Sequence, residues 1–307
     1  MAEAGVAEAS VAPPLRARLI EAGLLVPSRV DGLYGRSGAF EAVVTALGNL
    51  VSRTAADGSP TVLRFPPLLP TDDFLRTDYL RSFPDLTGAV STFRGNDGDH
   101  RRLLRTLGEG GDWTADLTPS EVALCPAVCH PLYPTLAGRL PDGGALFDLS
   151  GWCFRHEPSL DPARMVAFRQ HEIVCVGEPT AVLAHRDRWV DRGLDLTHRL
   201  GLATEAVVAH DPFFGRVGKV MAQSQDAAAL KIELVVPVAL ETGTAVVSSN
   251  CHEDHFTAAF GVSASDGGTA HSACVGFGLE RLTLALLVTH GLRPDRWPAL
   301  VRALLWP

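Results

Sequence analysis

The segment Gly-Trp-Cys-Phe-Arg-His-Glu-Pro-Ser-Leu-Asp-Pro-Ala-Arg-Met-Val-Ala-Phe-Arg-Gln-His-Glu-Ile-Val, from Gly151 to Val174, constrains this chain more than any other. It reads as strand, short loop, strand. Arg155 and Glu157 stand two apart, and side chains two apart on a strand share a face. A guanidinium and a carboxylate therefore sit side by side on one rigid surface. Pro158, Asp161 and Pro162 turn the chain back. The return run then brings Arg169 and Glu172. A nucleoside triphosphate needs such equipment: forked donors for phosphate oxygens and an acceptor for an amino-purine edge.

A second stretch, Gly276-Phe277-Gly278-Leu279-Glu280-Arg281-Leu282, is a glycine-bearing strand feeding an apolar helix from Leu282 to Val288. Together the two stretches resemble motifs 2 and 3 of the class II aminoacyl-tRNA synthetases. Motif 2 of that family reads Phe-Arg-x-Glu, loop, Arg-x-x-x-(aromatic). Here we match it to Phe154-Arg155-His156-Glu157 and then Arg169 to Ile173, with Ile173 where the family stacks an aromatic on adenine. Motif 3 reads Gly-x-Gly-x-Glu-Arg. Upstream, Phe40, Val43, Val44, Leu47 and Leu50 recur at helical spacing. An apolar strand, Thr61 to Phe65, follows and stops at Pro66-Pro67. Helix, strand and proline resemble motif 1, which builds the family's dimer interface. A homodimer through Phe40–Pro67 is therefore expected.

The chain has 307 residues, 46% hydrophobic and 20% charged, which suits a globular fold and excludes a disordered one. We expect one catalytic domain over 15–307 behind a mobile Ala/Glu/Pro-rich tail at 1–14. No apolar run is long enough to cross a bilayer and no signal peptide opens the chain, so a cytoplasmic location is expected. Net charge is −8, and Lys219 and Lys231 are the only lysines. A tRNA-gripping arm would show as a basic stripe or a long charged coiled coil, and the sequence has neither.

Short helices are expected at Leu15–Leu25 and Asp99–Leu107, and a long one at Ala181–Leu200. Asp72–Ser82 reads as helix or loop. Glu121–Cys125 reads as a strand, and Phe256–Val262 as a further one. Lys231–Val236 and Thr244–Ser249 are β-branched runs around a Glu-Thr-Gly turn, hence a hairpin. Strands with hairpin links, flanked by helices, give an α+β fold with a mostly antiparallel sheet.

The six cysteines lack the spacing of a disulfide framework and read as reduced thiols or metal ligands. The loop Pro126-Ala-Val-Cys-His-Pro131 resembles the zinc-cysteine loop of threonyl-tRNA synthetase. Cys129, Glu172 and Cys274 then resemble the zinc set of the atypical, archaeal-type seryl-tRNA synthetases. Two thiolates and a carboxylate suit zinc and leave a fourth position open. His252 and His255 read as polar lining of a pocket rather than as a second metal site.

Taken over nearly the whole chain, the sequence resembles the bacterial amino acid:[carrier protein] ligases. The segment Asp31-Gly-Leu-Tyr-Gly-Arg-Ser-Gly38 shares in that likeness. The resemblance implies activation of a small amino acid, glycine or alanine, with ATP and magnesium, then transfer to the phosphopantetheine thiol of a carrier protein, without charging tRNA. It implies that Arg155 binds the α-phosphate, Arg281 the γ-phosphate and Glu157 the adenine amine, with Arg169 also on ATP. Glu233 would face the substrate ammonium, and Ser249 and Asn250 its side chain. Ala245 or Val246 stands where the seryl enzymes hold a magnesium-binding acid, which leaves those ligands open. A minimal aminoacyl-tRNA synthetase and a non-catalytic amino-acid-binding paralogue are the other readings. The short N-terminus and acidic balance speak against the first. Retention of Arg155 and Arg281 speaks against the second.

Overall fold

The computed structural model describes residues 14–209, 230–238 and 243–307. Strand β1 (Leu25–Pro27) and β2 (Tyr34–Arg36) form a hairpin after helix α1 (Leu15–Glu21). Helix α2 (Gly38–Ala55) follows, capped by Ser37, whose hydroxyl accepts from the Phe40 amide. Its buried face is the expected one: Phe40, Val43, Leu47 and Leu50. Each such side chain contributes about 1.5–3 kcal/mol by leaving water.

Strand β3 (Thr61–Leu63) leads to a segment with its own small sheet. That segment holds β4 (Leu68–Pro70), α3 (Thr71–Arg76), α4 (Tyr79–Ser82), β5 (Ala89–Thr92), α5 (Asp97–Gly108) and β6 (Thr118–Leu124). The order in the small sheet is β4-β6-β5. A short pair joins β7 (Gly138–Arg139) to β13 (Val262–Ser263). The main sheet takes β8 (Ala145–Phe154), β9 (Ala167–Gly177), β10 (Glu205–Ala209), β11 (Lys231–Val236), β12 (Thr244–Glu253) and β14 (His271–Gly278), with β3 at one edge. Its order is β10-β11-β12-β14-β9-β8-β3, antiparallel throughout except for β3 on β8. The expected α+β class with a mostly antiparallel sheet is what the chain forms.

One face of the sheet is covered by α2, α6 (Pro179–Arg199), α8 (Leu279–His290) and α9 (Ala299–Leu305). Helix α8 is apolar nearly all round because it is buried nearly all round. The other face is partly covered by Leu132, Tyr133, Phe256 and Phe260, and beside them carries the cavity described below. Among the described residues no helix is long and apolar enough to cross a membrane.

One expected strand is a helix. Residues His255–Phe260 form α7, and only Val262–Ser263 beyond it pair as strand. Phe256 and Phe260, four apart, share the buried side of α7, and Gly261 at φ 66° ends it. The expected hairpin is β11 and β12, though its Glu241 and Thr242 fall outside the described residues.

On the helix-covered face, Asp148 of β8 is buried against three partners. Ser52 of α2 donates to it at 2.6 Å, His171 of β9 lies 3.0 Å away, and Arg64 lies 2.9 Å away. Burial opposes the charge, but the His171 and Ser52 hydrogen bonds and Arg64 outweigh it and hold the carboxyl at about 2, against an ordinary 3.8. The stabilisation is therefore present above about pH 4 and lost as pH falls through about 2. Asp148→Asn should cost about 2 kcal/mol near neutrality and flatten the acid limb between those values. Denaturant titrations across pH measure both. Equal acid sensitivity in the two proteins would contradict this account.

A candidate aminoacylation site on the open face of the sheet

Strand alternation decides what reaches the cavity. On β9, Phe168, Gln170 and Glu172 face it, while Arg169, His171 and Ile173 face the helices. On β14, Cys274, Gly276 and Gly278 face it, and Val275 and Phe277 do not. The resulting cavity is about 500 Å³.

Its first end is cationic. Arg155 follows the last residue of β8 and donates from Nε to the Pro126 carbonyl at 3.1 Å, with its guanidinium 5.4 Å over the Phe168 ring. Glu157 lies 3.7 Å from Arg164. Arg281 sits in the first turn of α8 and is held by two carbonyls, Ala163 at 2.9 Å and Ala245 at 3.1 Å. Burial, and then the nearby Arg155, lower its pKa from the usual arginine range. Two arginines near enough to act on one another give this end a positive potential. The loop between the β8 and β9 ends is shaped by Gly32, at φ 76°. A Cβ there would stand 2.9 Å from the Arg164 carbonyl, and the Gly32 carbonyl accepts from Val166.

The second end gathers acids. Cys129, Glu172 and Cys274 place their ligand atoms within 4.8 Å of one another, all buried. The loop after β6 supplies the first, β9 the second, β14 the third. Gly276 pairs with Glu172 across the strands, and a Cβ there would stand 3.4 Å from the carboxylate. Glu172 Oε2 is buried with no hydrogen-bond partner. Burial pushes the Glu172 carboxyl up. A hydrogen bond to Cys274, with burial, pushes the Cys129 thiol up. A hydrogen bond from the Cys129 side in turn, followed by His252 and Asn250, lowers Cys274 against its burial. An orphaned carboxylate oxygen beside two sulfurs fits a thiophilic cation.

No family model matches the chain. It is 40% identical over 278 residues to "Amino acid--[acyl-carrier-protein] ligase 1" of Bradyrhizobium diazoefficiens, covering 90% of this chain and 85% of that protein. Ligase 2 of the same organism is 42% identical over 277 residues, with 89% and 83% covered. The chain belongs to the amino acid–[acyl-carrier-protein] ligase family. The type-2 serine–tRNA ligase of Methanopyrus kandleri is a more distant relative, 28% identical over 257 residues and matched over 49% of its length. The solved M. kandleri SerRS, in complex with A. aeolicus tRNASec, superposes with a TM-score of 0.82 at 23% identity, over 99% of this chain and 62% of that one. The class II synthetase-like fold is thereby shared.

Within this ligase the expected site residues divide. Arg155, Glu157, Glu233, Asn250, Arg281 and the three acid ligands line one cavity. Glu233 is 3.1 Å from Lys231, which sequence reasoning passed over. Ser249 is a correction. It lies on the helix face of β12 and donates to the Arg186 carbonyl, while its neighbour Ser248 faces the cavity and donates to Asn250. The Ile173 assignment is also corrected, since Ile173 is in the core and Phe168 lines the cavity. Arg164-Met-Val-Ala-Phe168 fits the Arg-x-x-x-(aromatic) spacing, so the signal was present five residues before the one chosen.

Arg169 is the third correction. Its two terminal nitrogens donate to Glu41 at 2.6 and 2.8 Å, and its Nε to Glu280 at 2.8 Å. Its backbone amide also donates to Glu280 at 2.7 Å. The guanidinium groups of Arg36 and Arg169 lie 4.9 and 4.6 Å from the centre of the Trp152 ring. Arg169 is thus a strut between α2, β9 and α8, with its face turned from the cavity. Glu280 is 3% exposed and Glu41 38%. Arg169→Ala leaves the buried Glu280 carboxylate with only Arg36, 3.7 Å away, as its partner and should cost about 3 kcal/mol, the lower end of the range for breaking a buried pair. Glu41→Gln should cost about 1 kcal/mol or less. Urea midpoints of the two variants give the comparison, and equal losses would refute the strut.

Proposed function

We propose that this ligase activates glycine or alanine with ATP and magnesium, then transfers the aminoacyl group to the phosphopantetheine thiol of a carrier protein, without charging tRNA. The observation that carries the reading is the pairing, within one cavity, of a cationic end at Arg155 and Arg281 with the acid cluster Cys129, Glu172 and Cys274. Arg155 binds the α-phosphate and Arg281 the γ-phosphate. Glu157 accepts from the adenine amine, and Phe168 supplies the stacking face. Cys129, Glu172 and Cys274 would hold a zinc ion, which would supply a Lewis acid for the substrate's amino nitrogen. Glu233 faces the ammonium form of the substrate before binding, and Asn250 closes the pocket over its side chain. Solved relatives of the fold include a Pyrococcus horikoshii seryl-tRNA synthetase complexed with ATP, which is in keeping with a nucleotide at this end.

The chemistry needs positioning and charge stabilisation. A carboxylate oxygen of the amino acid attacks the α-phosphorus. The bond from that phosphorus to the bridging oxygen breaks, and pyrophosphate leaves with the electron pair. Arg155 stabilises the charge gathering on the α-phosphoryl oxygens, and Arg281 holds the departing end in line. In the second step the thiol sulfur attacks the acyl carbon, AMP leaves, and the thiol proton passes to solvent. A small side chain is selected sterically, and one methylene is worth about 1–3 kcal/mol in such a pocket. The chain is taken to act in the cytoplasm as a homodimer through Phe40–Pro67, where β3 leaves one edge of the main sheet uncovered.

Amino-acid-dependent ATP–pyrophosphate exchange tests the first step. Glycine or alanine should lead a panel of amino acids. Arg155→Ala should reduce exchange by about a hundred- to a thousandfold, the worth of one preorganised donor. An active Arg155→Ala enzyme would exclude this role for the residue.

Two arginine-bearing helices offer a basic face to an acidic carrier: α5, with Arg101, Arg102 and Arg105, and α6, with Arg186, Arg188 and Arg192. On α6, Arg186 is buried and paired with Asp187, and Arg192 is bound to Asp57. On α5 no residue is buried, Arg101 and Arg105 are exposed, and Leu104 and Leu107 are 53% and 50% exposed. Asn96 caps that helix through a reciprocal box with Asp99. A basic, partly apolar, independently capped helix is the better match for an acidic carrier surface. Radiolabelled amino acid, ATP and enzyme are offered holo carriers, apo carriers or total tRNA. Label should appear on a holo carrier as a hydroxylamine-labile thioester. Arg101→Glu with Arg105→Glu should slow transfer about tenfold or more while exchange is unchanged. Label on tRNA would overturn the acceptor and leave the adenylation reading standing.

A further inference from the structure

Behind the Cys274 sulfur stands a chain of hydrogen-bonding groups that the chemistry above does not use. His252 Nε2 is 3.5 Å from Cys274 Sγ. The other ring nitrogen, Nδ1, is 3.2 Å from the Tyr133 hydroxyl and 3.2 Å from the Ser272 hydroxyl. Tyr133 and Ser272 are fully buried and lie 3.2 Å from each other. Tyr133 donates to Ser272, which leaves the Ser272 proton for an acceptor nitrogen, and a thiolate can only accept. The arrangement is self-consistent when Nδ1 accepts and Nε2–H points at the sulfur. Phe256 fixes the ring from the side, 5.0 Å away and edge-on. Asn250 Nδ2 approaches the same sulfur at 3.7 Å.

His252 is not one of the ligand cluster. The atoms that lie within 4.8 Å of one another belong to Cys129, Glu172 and Cys274, and His252 is outside that set. Ligands of one tetrahedral zinc, at about 2.0–2.3 Å from the ion, would all lie within about 4 Å of one another. The imidazole is therefore a neighbour of a ligand.

We propose that His252 is a positioning residue of this centre: its Nε2–H, fixed by Tyr133 and Ser272, donates to the Cys274 thiolate, orients that sulfur and keeps the imidazole itself out of the coordination sphere. The fourth position then stays open for the substrate. This rests on the zinc reading given above. Donors around a ligand orient it and tune the metal, and removing one typically costs about 10–100-fold in metal affinity.

The test uses the full chain, freed of metal and titrated with cobalt(II) and zinc against a chelator. His252→Ala should weaken zinc binding about 10–100-fold and move the thiolate-to-cobalt charge-transfer band to lower energy, because an unbonded thiolate is the better electron donor. His252→Gln, which can still present an N–H, should recover most of the affinity and the band position. Tyr133→Phe, which leaves the ring in place, should give a smaller shift in the same direction. Wild-type affinity and an unmoved band in His252→Ala would overturn the proposal. So would X-ray absorption showing a nitrogen ligand in the wild type that is lost in His252→Ala, since the residue would then be a ligand. A wild-type protein with no thiolate band at all would remove the zinc reading itself. That result is distinct from a wild-type band that His252→Ala leaves unchanged.

Discussion

The ion-pair cluster at Arg169 is the interaction on which the rest of the site depends. Arg169 joins Glu41 of α2 and Glu280 of α8 through three side-chain hydrogen bonds, and its amide adds a fourth. Burial opposes its charge, but Glu41 and Glu280 outweigh that and hold its pKa above the usual range. Glu280 precedes Arg281, so the strut also fixes where Arg281 leaves the helix. The consequence for β9 is one of register. A strand has a period of two, and a slip by one residue exchanges its faces. The register that sets Arg169 among its carboxylates is the register that aims Phe168, Gln170 and Glu172 at the cavity.

The acid cluster is built on the opposite physical terms. In the Arg169 cluster opposite charges meet and compensate. At Cys129, Glu172 and Cys274, three acidic groups are brought together with no cation among the described side chains at their centre. Burial raises Glu172 and helps raise Cys129, so the fold holds these groups against their own preference. Such an arrangement is retained where it serves chemistry, because it does nothing for stability by itself. Stability is supplied elsewhere, by the helix-covered face with its apolar α8 and its compensated Asp148.

What could be read from the sequence follows from the same geometry. The periodic elements were legible: α2 from its apolar spacing, α6 and α8 from theirs, β11 and β12 from their β-branched runs. The acid cluster was legible because cysteine, glutamate and cysteine stood beside two nucleotide motifs. The misses share a cause. Arg169, Ile173 and Ser249 were assigned by sequence proximity to the motifs, and each lies on the wrong face of its strand. Odd and even positions on β9 and β12 settle the matter, and a stricter use of the period would have found Phe168 and Ser248. His255–Phe260 was misread because a short apolar run with β-branched and aromatic residues fits either period. Phe256 and Phe260 at helical spacing, before Gly261, were the better signal. The His252–Tyr133–Ser272 chain could not be read at all. Its members come from β12, the loop after β6 and β14, and only the fold brings them together.

The kinship with tRNA ligases locates the difference between the two activities. Activation of an amino acid ends at the same adenylate whatever accepts it. Its acyl carbon offers no means of telling a ribose hydroxyl from a pantetheine thiol. Selection of the acceptor must therefore come from binding, outside the reacting atoms. In this chain the cavity wall beside the acid cluster is formed partly by Thr77 and Ser82, from the α3–α4 region of the segment that holds the small sheet. The same segment carries α5, none of whose residues is buried. A partner that docks on α5 therefore meets the chain on the segment that also walls the reaction cavity. A core shared with the tRNA ligases can change its acceptor by changing that one segment, leaving Arg155, Arg281 and the acid cluster as they are.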